Sequence, residues 1–358
     1  MDQADEARIA RDVSGRSRPV NGPEAPLSTP EGRCDTRSGM RLSANGHAFP
    51  TDLDLMGELT DSAPLLDDPV ALRARFEEEG HLLMRGLLPV ELVLAARQEI
   101  LTKYAVIGEI DDRHPVMDAI AGDGDGVLHA NMRAFTESVR TGANYEAVIL
   151  HDALLGVVGT LLGGDAVPFD FRWPRLVRPG EGCGFHCDGP YMNRATDKHL
   201  STWIPLGRIE PHESGLVILE RSHRNQRLID GYLSMDADRD GLVWLDEDPA
   251  KVQEQYGERW LTTTYEPGDV LLFSMNTLHG AADNASPVDR CRLSTDSRYY
   301  LAGETPDPRW NGDEINPHGP GRVFYPGLGR WANADFQDEW KYVDEFGRLR
   351  IQPEGSDA

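Results

Sequence analysis

The chain has 358 residues, with 36 Lys+Arg against 60 Asp+Glu and a formal net charge of −24. That balance excludes the basic stripe that phosphate backbones require and the polybasic surface that anionic membranes attract, so neither nucleic acid nor membrane is expected as a partner. With 39% hydrophobic residues, four cysteines and no run near the ~18 consecutive apolar residues of a membrane span, the sequence predicts a soluble, cytoplasmic protein without a disulfide scaffold.

Residues 1–45 are rich in Asp, Glu, Arg, Ser, Gly and Pro without apolar periodicity, which predicts a disordered tail. A domain over 46–300 follows, and its helical part comes first. Asp67 or Asp68 caps a helix with Pro69 in its first turn, and Gly80 ends it. Residues 81–88 read as a short buried strand, Pro89 opens a second helix to about Tyr104, and a further helix is expected from Tyr145 to Leu162, stopped by Gly163 and Gly164. Beyond Pro168 come seven short β-branched or aromatic runs, at 169–178, 183–188, 200–206, 215–220, 261–265, 269–275 and 291–300. Their spacing predicts a mainly β fold with flanking helices, a sandwich or barrel for which a jelly roll is one closed solution. The polar stretch 223–260 reads as an insertion between strands. The C-terminal extension 301–358 holds Trp310, Phe324, Tyr325, Trp331, Phe336 and Trp340, too many aromatics to stay solvated, and is expected to pack on the domain. With 105–140 and 223–260 it is a candidate lid.

The chemistry concentrates in Gly184-Phe185-His186-Cys187-Asp188-Gly189. In a strand, positions i and i+2 share a face, so the His186 imidazole and the Asp188 carboxylate converge. His279, just past the apolar run 270–274, can be a third ligand. Two histidines and a carboxylate on one side of a metal form the facial triad of non-haem Fe(II) oxygenases. A short His-x-Asp also arises by chance in a chain with 11 His and 60 acids, so the flanking context decides.

That context, from about Asp67 to Tyr300, resembles the phytanoyl-CoA dioxygenase (PhyH-like) family of Fe(II)/2-oxoglutarate oxygenases. In order, it comprises Gly80-His81-Leu82-Leu83-Met84-Arg85-Gly86-Leu87-Leu88, His186-Cys187-Asp188, Thr202-Trp203-Ile204-Pro205-Leu206, Ser214-Gly215-Leu216 leading to Ser222-His223, Pro267-Gly268-Asp269-Val270, His279, Asn284 and Arg292-Leu293-Ser294. The resemblance implies a cupin-like double-stranded β-helix, iron held by His186, Asp188 and His279, and 2-oxoglutarate and O2 as co-substrates. It also implies an Arg beyond the distal His that binds the outer carboxylate of 2-oxoglutarate. Arg290 and Arg292 both qualify, and both are expected on the same face of one strand. Arg292 is favoured because Ser294 can share the carboxylate. Trp203 matches a position near the co-substrate, or serves as a core aromatic.

The activity so implied is hydroxylation of an unactivated C–H bond with release of succinate and CO2. Halogenases of this plan lack the carboxylate that Asp188 supplies. The alternatives are a cupin-like metalloenzyme that does not use 2-oxoglutarate and a metal-free ligand-binding jelly roll. A CoA ester would want a basic patch. Alternation separates Arg172 and Arg178 from Arg175, so a neutral or modestly charged, partly apolar small molecule is the expected substrate. The sequence leaves the oligomeric state open.

Overall fold

The computed structural model describes residues 42–50, 55–123, 132–194, 196–240, 245–312 and 315, together with the backbone of four short strands beyond them. Residues 1–41 of the expected tail lie outside the described residues. The tail's boundary at 45 falls inside a small hairpin, Ser43–Ala44 paired with His47–Ala48. Asp283 anchors that hairpin, accepting hydrogen bonds from Ser43 Oγ (2.7 Å), Asn45 N (2.8 Å) and Gly46 N (3.0 Å). Phe49 follows, edge-on to Phe185 and Trp260 and 3% exposed. The folded body therefore begins by residue 42. Local composition hid this because the partners are distant in sequence.

The strands are β1 (Met56–Glu58), β2 (His81–Met84), β3 (Ala166–Pro168), β4 (Trp173–Val177), β5 (Cys183–His186), β6 (His199–Pro205), β7 (Leu216–Leu219), β8 (Trp260–Thr262), β9 (Val270–Ser274), β10 (His279–Ala281) and β11 (Arg292–Leu301). One sheet has the order β1-β8-β7-β10-β5. The other has the order β2-β9-β6-β11-β3, with β4 also paired to β11. Pairing within both sheets is antiparallel except for the parallel edge β1–β8. Leu83, Trp203, Leu271 and Phe273 of one sheet pack with Leu216, Ile218 and Leu261 of the other, closing a jelly roll around an apolar floor.

The expected helices form with one difference. Helix α1 (Pro69–Glu79) is capped by Asp68, whose side chain accepts from the backbone N–H of Val70 and Ala71, and it ends at Gly80 in the left-handed region (φ 72°). Helix α2 is Val90–Val106, and α3 is Met132–Arg140. The single helix expected from Tyr145 to Leu162 is instead two, α4 (Ala143–Ile149) and α5 (Asp152–Leu162), because the His151 side chain caps a new helix by accepting from Ala153 N. The stretch Ala143–Leu162 has the length and mean hydropathy (1.5) of a membrane span. The count of consecutive apolar residues passes over it because Asn144, Glu146, His151 and Asp152 interrupt it. Here its Tyr145, Val148, Ile149, Leu154, Val157 and Val158 are buried against the outer face of the second sheet, among Leu200, Ile204, Leu272 and Leu293.

The insertion 223–260 folds into α6 (Gln226–Asp230), α7 (Ala237–Asp240) and α8 (Pro249–Tyr256). Its Leu228, Tyr232 and Val252 cover the outer face of the first sheet at Phe185, Val217 and Leu219. Trp310 of the C-terminal extension is buried with Phe169, Met192 and Met275. Farther on, Arg322–Tyr325 pairs with Arg330–Asn333 and Trp340–Val343 with Leu349–Ile351. The other aromatics expected to pack, Phe324, Tyr325, Trp331, Phe336 and Trp340, have side chains outside the described residues.

Candidate metal centre

The pairing of β5 with β10 sets His279 opposite His186, with ring centroids 4.4 Å apart. Strand β5 ends at His186, and Asp188 follows in a turn of helical conformation (φ −72°, ψ −25°) that leads into Gly189–Tyr191. The strand stops because Gly189 N turns away to Met275 O (2.8 Å) and Pro190 has no N–H to offer a neighbour. A turn rather than a continued strand thus carries the carboxylate to the histidines' side, with His186 Nε2 and Asp188 Oδ1 at 3.8 Å. Cys187 points the other way and is buried under the insertion. One donor atom from each of His186, Asp188 and His279 lies within 4.8 Å of the other two. A single ion with ligand bonds of about 2.1 Å can bridge that spacing.

Each imidazole is aimed by its own backbone. His186 Nδ1 lies 2.9 Å from Gly184 O, and His279 Nδ1 lies 3.0 Å from Thr277 O. A carbonyl only accepts, so Nδ1 donates and Nε2 keeps its lone pair for the centre. Leu278 N donates to Ser222 Oγ (2.9 Å), which fixes the chain just ahead of His279. Gly280 lets Phe185 approach, where a Cβ would lie 2.7 Å from its ring. Burial, and then His279, pushes His186 down to about 3, and burial also lowers His279. Both rings are therefore neutral donors near pH 7.

Asp188 is held from behind. Arg298 Nη2 donates to Oδ1 and Oδ2 at 2.8 Å each, Arg298 Nε donates to Oδ2 at 3.2 Å, and Ser201 Oγ donates to Oδ2 as well. Burial alone would raise this carboxyl, but Arg298, the two histidines and Ser201 outweigh it and hold it well below the usual carboxylate range. Sequence reasoning missed Arg298 and Ser201. Their signal was a polar residue at every second position of β11, Arg292, Ser294, Asp296 and Arg298, but Thr295 and Ser297 are polar too and masked the alternation.

Arg292 is 3% exposed on the same interior face. Its Nε donates to Ser214 O (3.0 Å), Nη1 to Ser294 Oγ (2.5 Å) and Nη2 to Ser214 Oγ (3.4 Å), and its guanidinium carbon stands 5.8 Å from the centre of the Trp203 ring. These partners are neutral, and no carboxylate among the described residues forms an ion pair with it. Burial brings its pKa down to about 10. A buried guanidinium without a counter-charge suits an anionic ligand. Arg290, expected on the same strand face, instead precedes β11. It donates to Glu213 Oε1 (3.3 Å) and is 39% exposed. The loop ahead of β11 is shaped by Asn284, whose Nδ2 donates to Val177 O and Arg290 O. Trp203 is buried against Tyr265, so it is both a core aromatic and a wall beside Arg292.

Two further motifs prove structural. Asp269 of the Pro-Gly-Asp turn accepts from Arg85 Nη1 (2.5 Å) and Gly86 N (3.0 Å), tying β2 to β9. His223 contacts Glu77 O at 3.2 Å, away from the triad. Aromatic rings lie beside the triad. Tyr191 lies 6.0 Å from His186, Arg298 stacks 4.1 Å over Trp173, and Trp173 packs 4.9 Å from Trp310.

A family model described as phytanoyl-CoA dioxygenase (PhyH) matches residues 76–291, which include the three clustered side chains and stop one residue short of Arg292. The 1-deoxypentalenic acid 11-beta-hydroxylase of Streptomyces exfoliatus is 26% identical over 265 residues, 70% of this chain and 87% of that protein. The ectoine dioxygenase of Nocardia farcinica is 24% identical over 231 residues, 61% of this chain and 74% of that protein. Among solved structures, EctD from S. alaskensis with bound Fe gives a TM-score of 0.47 at 18% identity, covering 75% of this chain and 89% of that one.

Proposed function

The chain belongs to the phytanoyl-CoA dioxygenase family of Fe(II)- and 2-oxoglutarate-dependent oxygenases, and on that premise we propose that His186, Asp188 and His279 hold the iron, that Arg292 with Ser294 anchors the outer carboxylate of 2-oxoglutarate, and that the substrate is a small, partly apolar molecule hydroxylated beside the aromatic rings of Tyr191, Trp173 and Trp310. The observation that carries this reading is Arg292, a buried guanidinium without a carboxylate partner among the described residues, on the interior face that also carries the Asp188 clamp. A cupin-like enzyme that does not use 2-oxoglutarate has no need of it.

Bound together, Fe(II) and 2-oxoglutarate supply O2-dependent oxidative decarboxylation to succinate and CO2, coupled to hydroxylation of an unactivated C–H bond. The protein's own groups do the positioning. The Nδ1–H bonds to Gly184 and Thr277 present both imidazole lone pairs, and Arg298 and Ser201 fix the Asp188 carboxylate. Trp203 closes the space beside Arg292 against water. Trp310, held by its Nε1–H to Tyr191 O (2.9 Å), makes the start of the C-terminal extension part of the lid. The relatives named for 1-deoxypentalenic acid and ectoine support a small-molecule substrate.

The test is metal analysis with co-substrate turnover. Wild type is expected to bind one Fe(II) per chain and to form succinate from 2-oxoglutarate, and His186→Ala to lose both. Full iron stoichiometry in His186→Ala would refute the ligand assignment.

A further inference from the structure

Arg175 stands opposite Ser294 in the β4–β11 pairing, so its side chain enters the interior face that carries Arg292, Asp296 and Arg298. Its Nε donates to Asp296 Oδ2. Its Nη1 and Nη2 bond to nothing among the described residues, which leaves an edge of the guanidinium free. The side chain keeps 38% exposure, so that free edge is open to a ligand. Asp296, its partner, lies 3.9 Å from Nη1 of Arg298, the residue that clamps Asp188, so this guanidinium stands one ion pair away from the triad. Arg172 and Arg178, its neighbours in sequence, are ion-paired instead with Glu146 (2.8 Å) and Glu109 (2.5 Å).

Charge balance sharpens the point. On this interior, three guanidinium groups, Arg175, Arg292 and Arg298, face two carboxylates, Asp188 and Asp296. A divalent metal and a dianionic co-substrate cancel each other. One positive charge is left, and burial makes an unbalanced charge costly.

We propose that the free edge of Arg175 binds the carboxylate of the substrate, so that the enzyme acts on an apolar monocarboxylic acid. Two parallel N–H groups match the two oxygens of a carboxylate. Trp173, two positions earlier on the same face, packs against Trp310 and offers the apolar wall for the carbon skeleton. The inference rests on the oxygenase reading above and adds the substrate class to it.

The probes are a panel of fused-ring and long-chain monocarboxylic acids, each with its methyl ester. Succinate formation is measured on the iron enzyme, and binding by calorimetry on the Mn(II)-loaded protein. At least one acid should stimulate succinate formation fivefold or more while its ester does not. Arg175→Gln should weaken binding of that acid by at least thirtyfold and of 2-oxoglutarate by less than threefold. Arg175→Lys keeps a charge beside Asp296 and so guards against misfolding, and it should weaken the acid about tenfold through loss of the fork. Esters as effective as acids, or no active acid in an enzyme that still makes succinate from 2-oxoglutarate alone, would overturn the substrate class and leave the oxygenase reading standing. Weakened 2-oxoglutarate with unchanged acid would assign Arg175 to the co-substrate. No succinate under any condition would overturn the oxygenase reading itself.

Discussion

Replacing Arg298 with Leu tests whether the clamp behind Asp188 holds the site together. The two side chains are each 3% exposed, and three of the guanidinium's bonds, at 2.8, 2.8 and 3.2 Å, end on the two carboxylate oxygens. Removing one member of a buried ion pair leaves the other uncompensated and costs about 3–5 kcal/mol. Ser201 can supply one bond but no charge. At roughly 2 °C per kcal/mol for a domain of this size, the metal-free variant should melt about 6–10 °C below wild type. A bound divalent cation takes over part of the compensation, so Mn(II) should narrow the gap. Arg298→Lys, which keeps the charge without the fork, should fall between the two. The assay is scanning calorimetry in chelator and in Mn(II). A Leu variant that melts with wild type in chelator, or a gap that Mn(II) leaves unchanged, would refute the reasoning.

Three other outcomes are expected. Arg292→Ala should raise the apparent KM for 2-oxoglutarate at least about tenfold, equivalent to about 1.4 kcal/mol, while Arg290→Ala, which loses a part-buried pair with Glu213, should leave it near the wild-type value; the reverse result in steady-state kinetics would exchange their roles. In chelator-treated protein, the buried His81 and His279 and the half-buried His186 and His199 all have lowered pKa values, so as pH falls through about 6.5 the unfolded chain takes up protons that the folded chain refuses. The melting temperature should therefore decline from about pH 7 to pH 5, and a flat profile would contradict it. Phe49→Ala should destabilise the protein by about 3–5 kcal/mol in denaturant titration, because the ring fills the space beside Phe185 and Trp260, whereas an unchanged midpoint would mean that the hairpin does not brace the first sheet.

The sequence by itself determined the mainly β fold with its flanking helices and the residue types of the candidate triad. Strand-length apolar runs separated by Gly, Pro and Asn register locally, and His186-Cys187-Asp188 followed by His279 carries its chemistry in side-chain identity. Asp68, Pro69 and Gly80 likewise set α1 through bonds that span a few residues. Tertiary structure decided whatever depends on partners far away in the chain. Arg290 and Arg292 are the same residue type two positions apart, and only the start of β11 and the position of Glu213 turn one to the surface and the other inward. Arg298 reaches Asp188 across 110 positions, and Asp283 holds a hairpin that lies more than 230 residues earlier. Composition has no record of such pairs. A polar side chain acquires its role from the charge it meets after burial, and that meeting is fixed by strand register, which the local sequence constrains only through the sum of all its apolar contacts.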